Sequence, residues 1–259
     1  MRNILAIVER ELRAYFNSPI AYVVLTIFVF LSGIFFRSIL SQVMQMALIS
    51  QMQAQQLGPR PMDMPGMISR GFLSTMSVIL LFIMPMLTMA LFSEEKKRGT
   101  IELLLTAPLT DLQVVLGKFF AAGAFYLILL VSTWIPMAVL YLYGSPASGP
   151  ILTAYLGLLL YGLAILAIGL FISTLTENQI IAAVLSFGTI MVLWLVDVLA
   201  NNADSTTGKA VLTYLSIISH LDDFMKGVLS TSHIIFYMSL MLVALFLTYR
   251  SIDSLRWRG

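Results

Sequence analysis

The sequence predicts an all-α, polytopic membrane protein with six transmembrane helices. Of its 259 residues, 59% are apolar and only 11% are charged, whereas soluble domains are about 45–50% apolar and about 25% charged. Six runs that contain no charged residue, or in one case a single aspartate, also approach the roughly 20 residues that a helix needs to cross the hydrocarbon core of a bilayer. These runs cover residues 21–36, 72–92, 119–143, 151–175, 180–199 and 234–249.

The six runs and their connectors account for nearly the whole chain, so we expect a single transmembrane domain over residues 1–259. The first and last runs are short, but small polar residues such as Ser38 and Ser232 can extend them. Pro85 and Pro136 fall inside the second and third runs. We expect each proline to kink its helix rather than end it, because neighbouring helices in a membrane re-satisfy the freed carbonyl groups.

The distribution of basic residues predicts the orientation of the spans. An even number of spans places both termini on one side, and lysine and arginine are enriched on the cytoplasmic side of membrane proteins. Of the 15 lysine and arginine residues of this chain, ten fall on the side of the termini and five on the other side. We therefore predict a multi-pass protein of the cell inner (plasma) membrane with both termini in the cytoplasm. The ten are Arg2, Arg10, Arg13, Lys96, Lys97, Arg98, Lys118, Arg250, Arg256 and Arg258, and the five are Arg37, Arg60, Arg70, Lys209 and Lys226.

An amphipathic helix is expected at the N-terminus, within residues 1–18. Its apolar residues recur at helical spacing, and its charged residues fall elsewhere on the helix. A helix of this kind lies in the headgroup plane of the membrane, so we expect an interfacial helix. The predicted apolar face consists of Ile4, Leu5, Val8, Leu12, Tyr15 and Phe16.

A second amphipathic segment is expected on the outer side, within residues 200–232 before the last span. One apolar stripe along this segment predicts a helix that sits at the outer surface or dips partway into the bilayer. The stripe consists of Val211, Leu215, Ile218, Met225 and Val228, and the opposite face carries Lys209, Thr213, Ser216, His220 and Asp223.

The connector between the second and third spans, residues 93–113, is the most informative part of the sequence. A charged cluster is followed by Gly99 and Thr100, which signal a helix start, and later by Pro108. This pattern predicts a short cytoplasmic helix just outside the bilayer, which would suit docking of a soluble partner. The residues equally allow an ordinary juxtamembrane anchor, in which the three basic residues at 96–98 face lipid headgroups.

The same connector resembles that of the permease subunits of type-two ABC exporters. The resemblance rests on Glu94-Glu-Lys-Lys-Arg-Gly-Thr-Ile-Glu-Leu-Leu-Leu-Thr-Ala-Pro-Leu-Thr-Asp and on Val115-Leu-Gly-Lys-Phe119. It continues in Glu9-Arg-Glu-Leu-Arg-Ala-Tyr-Phe-Asn-Ser-Pro-Ile-Ala-Tyr22 and in Ser216-Ile-Ile-Ser-His-Leu-Asp-Asp-Phe-Met-Lys-Gly-Val228, and so covers essentially the whole chain. Within this class the chain is most similar to the permease of the gliding-motility-associated ABC transporter and to the nitrous-oxide-reductase maturation permeases.

The resemblance implies which parts of the chain act and with what partners. In such permeases the N-terminal helix and the connector touch a separate ATPase, and the connector is a coupling helix that transmits nucleotide-driven motion. The implied partners are an ABC ATPase subunit on the cytoplasmic side, which holds ATP and Mg, and a second copy of the permease or a similar permease. The segment at 200–232 would correspond to re-entrant helices. The implied coupling residues are Glu94, Glu95, Lys97, Arg98, Gly99, Thr100, Glu102 and Leu103.

The sequence gives no sign of an enzyme. No phosphate-binding run of the form Gly-x-x-x-x-Gly-Lys-Ser/Thr occurs, so we expect ATP hydrolysis in a partner chain and no catalytic residue, cofactor or metal in this one. The absence of cysteine excludes thiolate metal sites and cysteine nucleophiles. The net charge of +2 does not indicate a nucleic-acid partner.

These observations predict a permease subunit that couples ATP hydrolysis by a partner to export or to mechanical transmission across the membrane. An extracytoplasmic partner protein is compatible with either role. Two other functions stay open, namely a non-transporting membrane scaffold for an ATPase-linked motility or maturation assembly, and a channel or secondary carrier without an ATPase. The sequence does not identify a cargo.

Part of the connector is also similar to a protease motif. Glu94 and Glu95 with Arg98 are similar to the Glu-Glu-x-x-x-Arg motif of intramembrane prenyl-protein proteases, but the arginine falls one residue early and the histidines, His220 and His233, are expected across the membrane.

Six of the 16 methionines lie between Met44 and Met67, a region whose prolines and glycines at 58–66 predict an irregular outer loop. Thioether ligands favour Cu(I), although methionine is also a common packing residue. The remaining polar candidates have plain interpretations. Asp197 is the lone acidic residue within a span and is expected to cap its helix or meet Lys209, and His220 is expected to be an interfacial polar residue.

Overall fold

The computed structural model describes residues 2–57, 63–101, 109–202 and 205–256. These residues form helices, turns and short connectors, and none of them lies in a strand. The helices in chain order are α1 (Arg2–Asn17), α2 (Pro19–Leu57), α3 (Met64–Thr88), α4 (Ser93–Lys97), α5 (Asp111–Ser132), α6 (Trp134–Tyr143), α7 (Ser148–Ser173), α8 (Gln179–Asn201), α9 (Thr206–Leu215), α10 (Ile217–Met225) and α11 (Thr231–Arg256).

The predicted set of six spans is confirmed among the described residues. Six helical stretches are long and apolar enough to cross a membrane, and each contains one of the predicted runs almost entirely. Below, the terminal end of the bundle is the end where α2 begins and α11 finishes, and the far end is the opposite one. The candidate spans are Pro19–Met52, Met64–Lys97, Asp111–Tyr143, Ser148–Ser173, Gln179–Ala200 and Thr231–Ser254.

The second span begins earlier than predicted, at Met64. Asp63 is the N-cap of α3, and its side chain accepts a hydrogen bond of 3.0 Å from the backbone N–H of Gly66. Pro65 occupies the first turn, where its missing N–H costs nothing and its fixed φ favours the helix. Pro65 and Gly66 therefore open α3 instead of lying in the predicted loop, and residues 58–62 of that loop lie outside the described part of the chain.

Proline affects the second and third spans differently. Pro85 lies inside α3, which continues to Thr88. The third span is divided into α5 and α6 at Thr133, three residues before Pro136. The break follows from the ring of Pro136, which cannot donate a hydrogen bond and clashes with the carbonyl of the preceding turn. The side chain of Thr133 donates to the carbonyl of Leu130 at 2.6 Å and so helps to satisfy the end of α5.

The fourth span, α7, is the centre of the bundle. It packs against α3, α5, α8, α10 and α11 and is the most buried of the six candidate spans. Two buried tyrosines attach neighbouring helices to it: Tyr126 of α5 donates to the carbonyl of Leu158, and Tyr161 of α7 donates to the carbonyl of Ser77 at 3.3 Å. By contrast, α2, α8 and α11 expose most of their surface.

The predicted N-terminal helix is confirmed as α1, and its covered face differs from the predicted one at two residues. Ile7, which was not assigned to the face, is 5% exposed, whereas Leu5 is 68% exposed. The reason is that α1 packs against α5, so a neighbouring helix decides which residues are covered. At the end of α1, Tyr15 stacks on Phe125 of α5 with ring centroids 5.5 Å apart.

The outer amphipathic segment forms two helices, α9 and α10, rather than one. Ser216 between them has extended backbone angles, and its hydroxyl caps α10 by accepting from the N–H of Ser219 at 3.1 Å. The helical phase is reset at this residue, so the predicted stripe does not run along one continuous helix: Met225 is buried, whereas Val211, Leu215 and Val228 are exposed. The buried residues of α10 are Ile217, His220, Leu221, Phe224 and Met225.

Candidate functional site

A buried lysine lies at the terminal end of the bundle, where the connector meets the third span. Lys118 of α5 has a side chain that is 2% exposed. Its Nζ atom lies 3.1 Å from Oε1 of Glu11 in α1 and 2.9 Å from Oε1 of Glu95 in α4. The same Nζ lies 5.2 Å from the ring centroid of Phe92, within the range of a cation–π contact. One ammonium group thus joins three separate helices.

Arg10 completes this group of charges. Its Nη2 atom lies 2.5 Å from Oε1 of Glu11 and 3.5 Å from Oε1 of Glu95. The two cations and two carboxylates therefore alternate around a closed ring, in which each carboxylate contacts both cations. We call Arg10, Glu11, Glu95 and Lys118 the charge cluster. A buried charge is tolerated only when it is paired, which explains why the lysine and the carboxylates occur together.

The electrostatics of the charge cluster favour the ionised form of Glu11. Burial by itself would raise the pKa of this carboxyl group, but the Coulombic attraction of Lys118 and the hydrogen bonds from Arg10 and Lys118 outweigh burial, so the pKa is lowered. At Glu95, Oε1 contacts both cations, whereas Oε2 is buried and accepts no hydrogen bond within the described residues. Oε1 therefore makes both contacts between Glu95 and the cations of the charge cluster.

Local sequence features bring the three helices together. Thr110 and Gln113 form a capping box at the start of α5, with reciprocal side-chain to backbone hydrogen bonds, and this fixes where α5 begins. Gly117 lies next to Lys118 and faces α1: a Cβ atom at Gly117 would lie 2.6 Å from Cγ2 of Ile7. The absence of a side chain at 117 allows α1 to approach α5 closely enough for Glu11 to reach Lys118.

A second link runs from the connector to the fourth and sixth spans. Nζ of Lys96 donates to the carbonyl of Thr174, the C-cap residue of α7. The hydroxyl of Thr174 donates in turn to Oγ of Ser251 in α11 at 2.9 Å. Lys96 was predicted only as a basic residue facing lipid headgroups, but it satisfies a helix end that would otherwise lack a hydrogen-bond partner.

The predicted coupling residues divide into two groups. Glu95 points inward to the charge cluster, whereas Lys97, Arg98, Gly99 and Thr100 are exposed.

Glu94, at the edge, is partly exposed and pairs with Arg98 four residues later. Gly99 has a φ of +67°, a conformation that glycine adopts without strain and that ends a helix. Its N–H donates to the carbonyl of Lys96 at 3.1 Å. Glu102 and Leu103 lie outside the described residues, as does most of the helix expected after Thr100.

Of the alternative sites predicted from the sequence, the protease residues are not brought together, and the methionine group lies partly outside the described residues. Glu95 lies at the terminal end and His220 at the far end, so the residues of the protease hypothesis do not meet. Met44 and Met46 are two residues apart in α2 and therefore do not face each other, and Met62 lies outside the described residues. Asp197 accepts a hydrogen bond from the hydroxyl of Ser216 at 3.3 Å.

Sequence reasoning missed the role of Lys118, Glu11 and Arg10. Arg10 was counted among the polar residues of an interfacial helix, Glu11 was given no role, and Lys118 was used only for orientation and as part of the Val115–Phe119 run. One signal was present: Lys118 occurs between apolar residues near the start of a span, and an ionisable residue in such a position usually has a partner. The pattern could not name that partner, because Glu11 is 107 residues away in the chain.

Six candidate spans and a connector fixed to the bundle by buried charges define a polytopic, all-helical membrane protein with a rigid platform at its terminal end. Over residues 5–252 the sequence matches the family described as ABC-2 family transporter protein, and the chain belongs to that family. As a member of this family it is a transmembrane permease chain, and the matched region contains no ATPase domain.

Two curated relatives are similar to parts of the chain. The probable multidrug ABC transporter permease YbhR of Escherichia coli (strain K12) is 31% identical over 87 residues, which are 34% of this chain and 23% of the relative. The probable multidrug ABC transporter permease YbhS of the same strain is 33% identical over 126 residues, which are 46% of this chain and 32% of the relative. The match thus spans about a quarter to a third of these relatives.

Proposed function

We propose that this chain is the transmembrane subunit of an ABC-type exporter, and that it converts ATPase motion into movement of its helices through the charge cluster. The observation that carries the proposal is the ion pairing of Lys118 with Glu11 and Glu95, because it makes α1, the connector and the third span move as one body. A force applied to the connector is then transmitted to the bundle directly through these ion pairs, and not through a flexible loop. The proposed role of this site is mechanical, not catalytic.

The exposed residues of the connector are the proposed contact with the ATPase. The exposed surface consists of the end of α4 and the turn after it, Lys97, Arg98, Gly99 and Thr100. Glu95, on the inward side of α4, pairs with Lys118 and so attaches this surface to the bundle. Glu102 and Leu103 are proposed to continue this surface. The link from Lys96 through Thr174 to Ser251 would carry the same motion to the fourth and sixth spans.

The proposal also covers the orientation of the chain in the membrane and its partners. We place the terminal end in the cytoplasm and the chain in the inner (plasma) membrane, with α1 as an interfacial helix and α9 and α10 as the re-entrant segment of a single domain over residues 1–259. ATP and Mg would reside on the ATPase. A second permease copy or a similar permease would complete the complex, and an extracytoplasmic protein is a further proposed partner.

We also propose the direction of transport and the subfamily. The two curated relatives are named as probable multidrug permeases, which supports export as the direction of transport. The gliding-motility and nitrous-oxide-reductase maturation branches rest on the resemblance of the sequence alone. In either branch the same coupling path through Glu95 and Lys118 would operate.

Site-specific cross-linking tests the proposed contact with the ATPase. The chain contains no cysteine, so single cysteines can be introduced without background. We expect Arg98→Cys and Thr100→Cys to cross-link to the ATPase subunit. Leu142→Cys, at the far end and 80% exposed, is the matched control and should not. The proposal fails if a tagged chain never retains an ATPase, or if the control position cross-links as efficiently as the connector.

Reconstituted vesicles test the coupling itself and separate an exporter from a scaffold. We expect Glu95→Arg to abolish ATP-dependent movement of a labelled cargo while the ATPase remains bound, because the variant places a third cation beside Lys118. Leu103→Asp should weaken ATPase binding. Unchanged transport in both variants would refute the coupling path. A wild-type complex that hydrolyses ATP without moving any cargo would instead favour the scaffold function.

A further inference from the structure

The two histidines of the chain meet at the far end of the bundle, away from the charge cluster. His220 lies on α10 and is 5% exposed, and His233 lies in the first turn of α11 with a side chain that is 14% exposed. Their Nδ1 atoms are 2.6 Å apart. The ring of His220 stacks on Phe236 of α11 with centroids 4.0 Å apart, which fixes its plane.

The outer nitrogens of both rings also have partners. Nε2 of His220 lies 2.9 Å from the backbone carbonyl oxygen of Tyr214. Nε2 of His233 lies 3.0 Å from Oδ2 of Asp223. A chain of three contacts thus leads from Tyr214 through both imidazoles to the Asp223 carboxylate, and it connects α9, α10 and α11.

Counting the hydrogens in this chain shows that two neutral imidazoles do not suffice. A carbonyl oxygen and a carboxylate only accept hydrogen bonds, and a neutral imidazole carries a single N–H. Each of the three contacts requires one hydrogen between its two heavy atoms. His220 must donate from Nε2 to Tyr214, so its Nδ1 accepts, and His233 must donate from Nδ1. The contact between His233 and Asp223 then needs a third hydrogen that neither neutral ring supplies.

We infer that His220, His233 and Asp223 form a proton-binding site, which holds one proton on the His233–Asp223 pair and thereby clasps α10 to α11. This inference goes beyond the proposed transport function and does not depend on it. The proton is supplied by water. When it leaves, the contact at 3.0 Å or the one at 2.6 Å brings two lone pairs together and becomes repulsive.

The surroundings agree with this assignment of the proton. Burial lowers the pKa of His220, since desolvation disfavours its charged form, and the hydrogen bond to the Tyr214 carbonyl opposes this effect only in part. His220 is therefore the neutral member. Nζ of Lys226 lies 3.6 Å from Oδ1 of Asp223, so this carboxylate has a second partner ready when His233 releases it.

The other end of α10 stays attached in either state. Tyr237 of α11 donates to the carbonyl of Ile217 at 2.6 Å, and its hydroxyl does not change its charge near neutral pH. Proton loss would thus free the Asp223 end of α10 while the Ile217 end remains fixed. Arg70 on α3 donates to the carbonyl of Met225 at the end of α10. Among the described residues, the other ionisable and charged groups around the site are Asp222, Asp223 and Lys226 on and after α10, His233 and Tyr237 on α11, Lys209 and Tyr214 on α9, and Asp197 on α8.

Nitrogen-15 spectroscopy of the full chain in lipid nanodiscs tests the inference, because labelled histidine gives only two imidazole signal sets. At about pH 7, we expect His220 to carry a proton on Nε2 alone and His233 to carry protons on both nitrogens. Raising the pH should change both sets of signals together, as coupled groups do. A spectrum in which both rings stay neutral between about pH 5 and pH 8 would overturn the inference.

Two neighbouring carboxylates provide a matched pair of variants. Asp223→Asn supplies an amide N–H that can donate to Nε2 of His233, so the additional proton is no longer needed and the second N–H signal of His233 should disappear at about pH 7. Asp222→Asn, which removes a partner of Lys226 but not of His233, should leave the signals unchanged. An equal effect of both variants would contradict the assignment, and the wild-type spectra remain decisive should a variant not fold.

Discussion

Replacing Lys118 by methionine is the sharpest test of the charge cluster. Methionine keeps the length and apolar stem of the side chain and removes the charge. Two carboxylates, Glu11 and Glu95, then lose a cation at 3.1 and 2.9 Å. Removing one partner of a buried ion pair costs about 3–5 kcal/mol. The carboxylate side chains are 14% and 20% exposed, and Arg10 still contacts Glu11, so we expect a loss of about 3 kcal/mol, at the lower end of that range.

The free energy of unfolding can be measured by titrating detergent-solubilised chain with dodecyl sulfate and following the fluorescence of its three tryptophans. Lys97→Met removes the same charge from an exposed neighbour and should change the unfolding free energy by no more than about 0.5 kcal/mol. Adding Glu95→Gln to Lys118→Met should restore about 1–2 kcal/mol, because the double variant leaves fewer unpaired charges. Equal stabilities of the two lysine variants would refute the reasoning.

Two further perturbations address how α1 is held. The pKa of Glu11 is lowered in the folded chain. Below its ordinary value of 4.5 the unfolded chain therefore binds more protons than the folded one, and stability falls as the pH falls. Glu11→Gln should flatten this dependence between about pH 3 and pH 5. Gly117→Ala places a Cβ atom 2.6 Å from Cγ2 of Ile7 and should cost about 1–3 kcal/mol of unfolding free energy, whereas Gly33→Ala, at a position with open space, should be neutral or stabilising.

Each of these two predictions has an outcome that would contradict it. A pH dependence in the Glu11→Gln chain that matches the wild type would show that Glu11 is not ionised more readily in the folded state. For Gly117, the double variant with Ile7→Ala should recover part of the lost stability, because the smaller side chain gives way to the new Cβ atom. No recovery would mean that α1 does not approach α5 at this point.

The spans could be predicted from the sequence because hydropathy is averaged over about 20 residues and does not depend on neighbouring helices. The start of α3 at Met64 was within reach, since Asp63 followed by Pro65 is a local helix-start signal. The helix break at Ser216 was harder to predict from the sequence. A serine in an amphipathic pattern is compatible with a continuous helix, and only the packing of α10 against α7 reveals that the phase changes there.

The candidate site was predicted only in part. The connector residues could be named as coupling candidates because the run that carries the resemblance there is continuous in the sequence. The charge cluster depends on pairs that are distant in sequence, and periodicity assigns every charged residue of an amphipathic helix to a polar face. Glu11 illustrates the limit: it lies on the face of α1 that meets α5, and its partner Lys118 is required to recognise this. The contact between His220 and His233 was not predicted for the same reason.

The balance of charges in the cluster has an electrical consequence. Carrying one elementary charge across a membrane potential of 100 mV takes about 2.3 kcal/mol of work. Arg10 and Lys118 together with Glu11 and Glu95 sum to zero, so the unit can shift along the membrane normal as the bundle moves without net electrical work. The charge cluster should therefore add no voltage dependence to the movement driven from the connector. The Lys118→Met chain, which leaves one negative charge uncompensated, should acquire a voltage dependence.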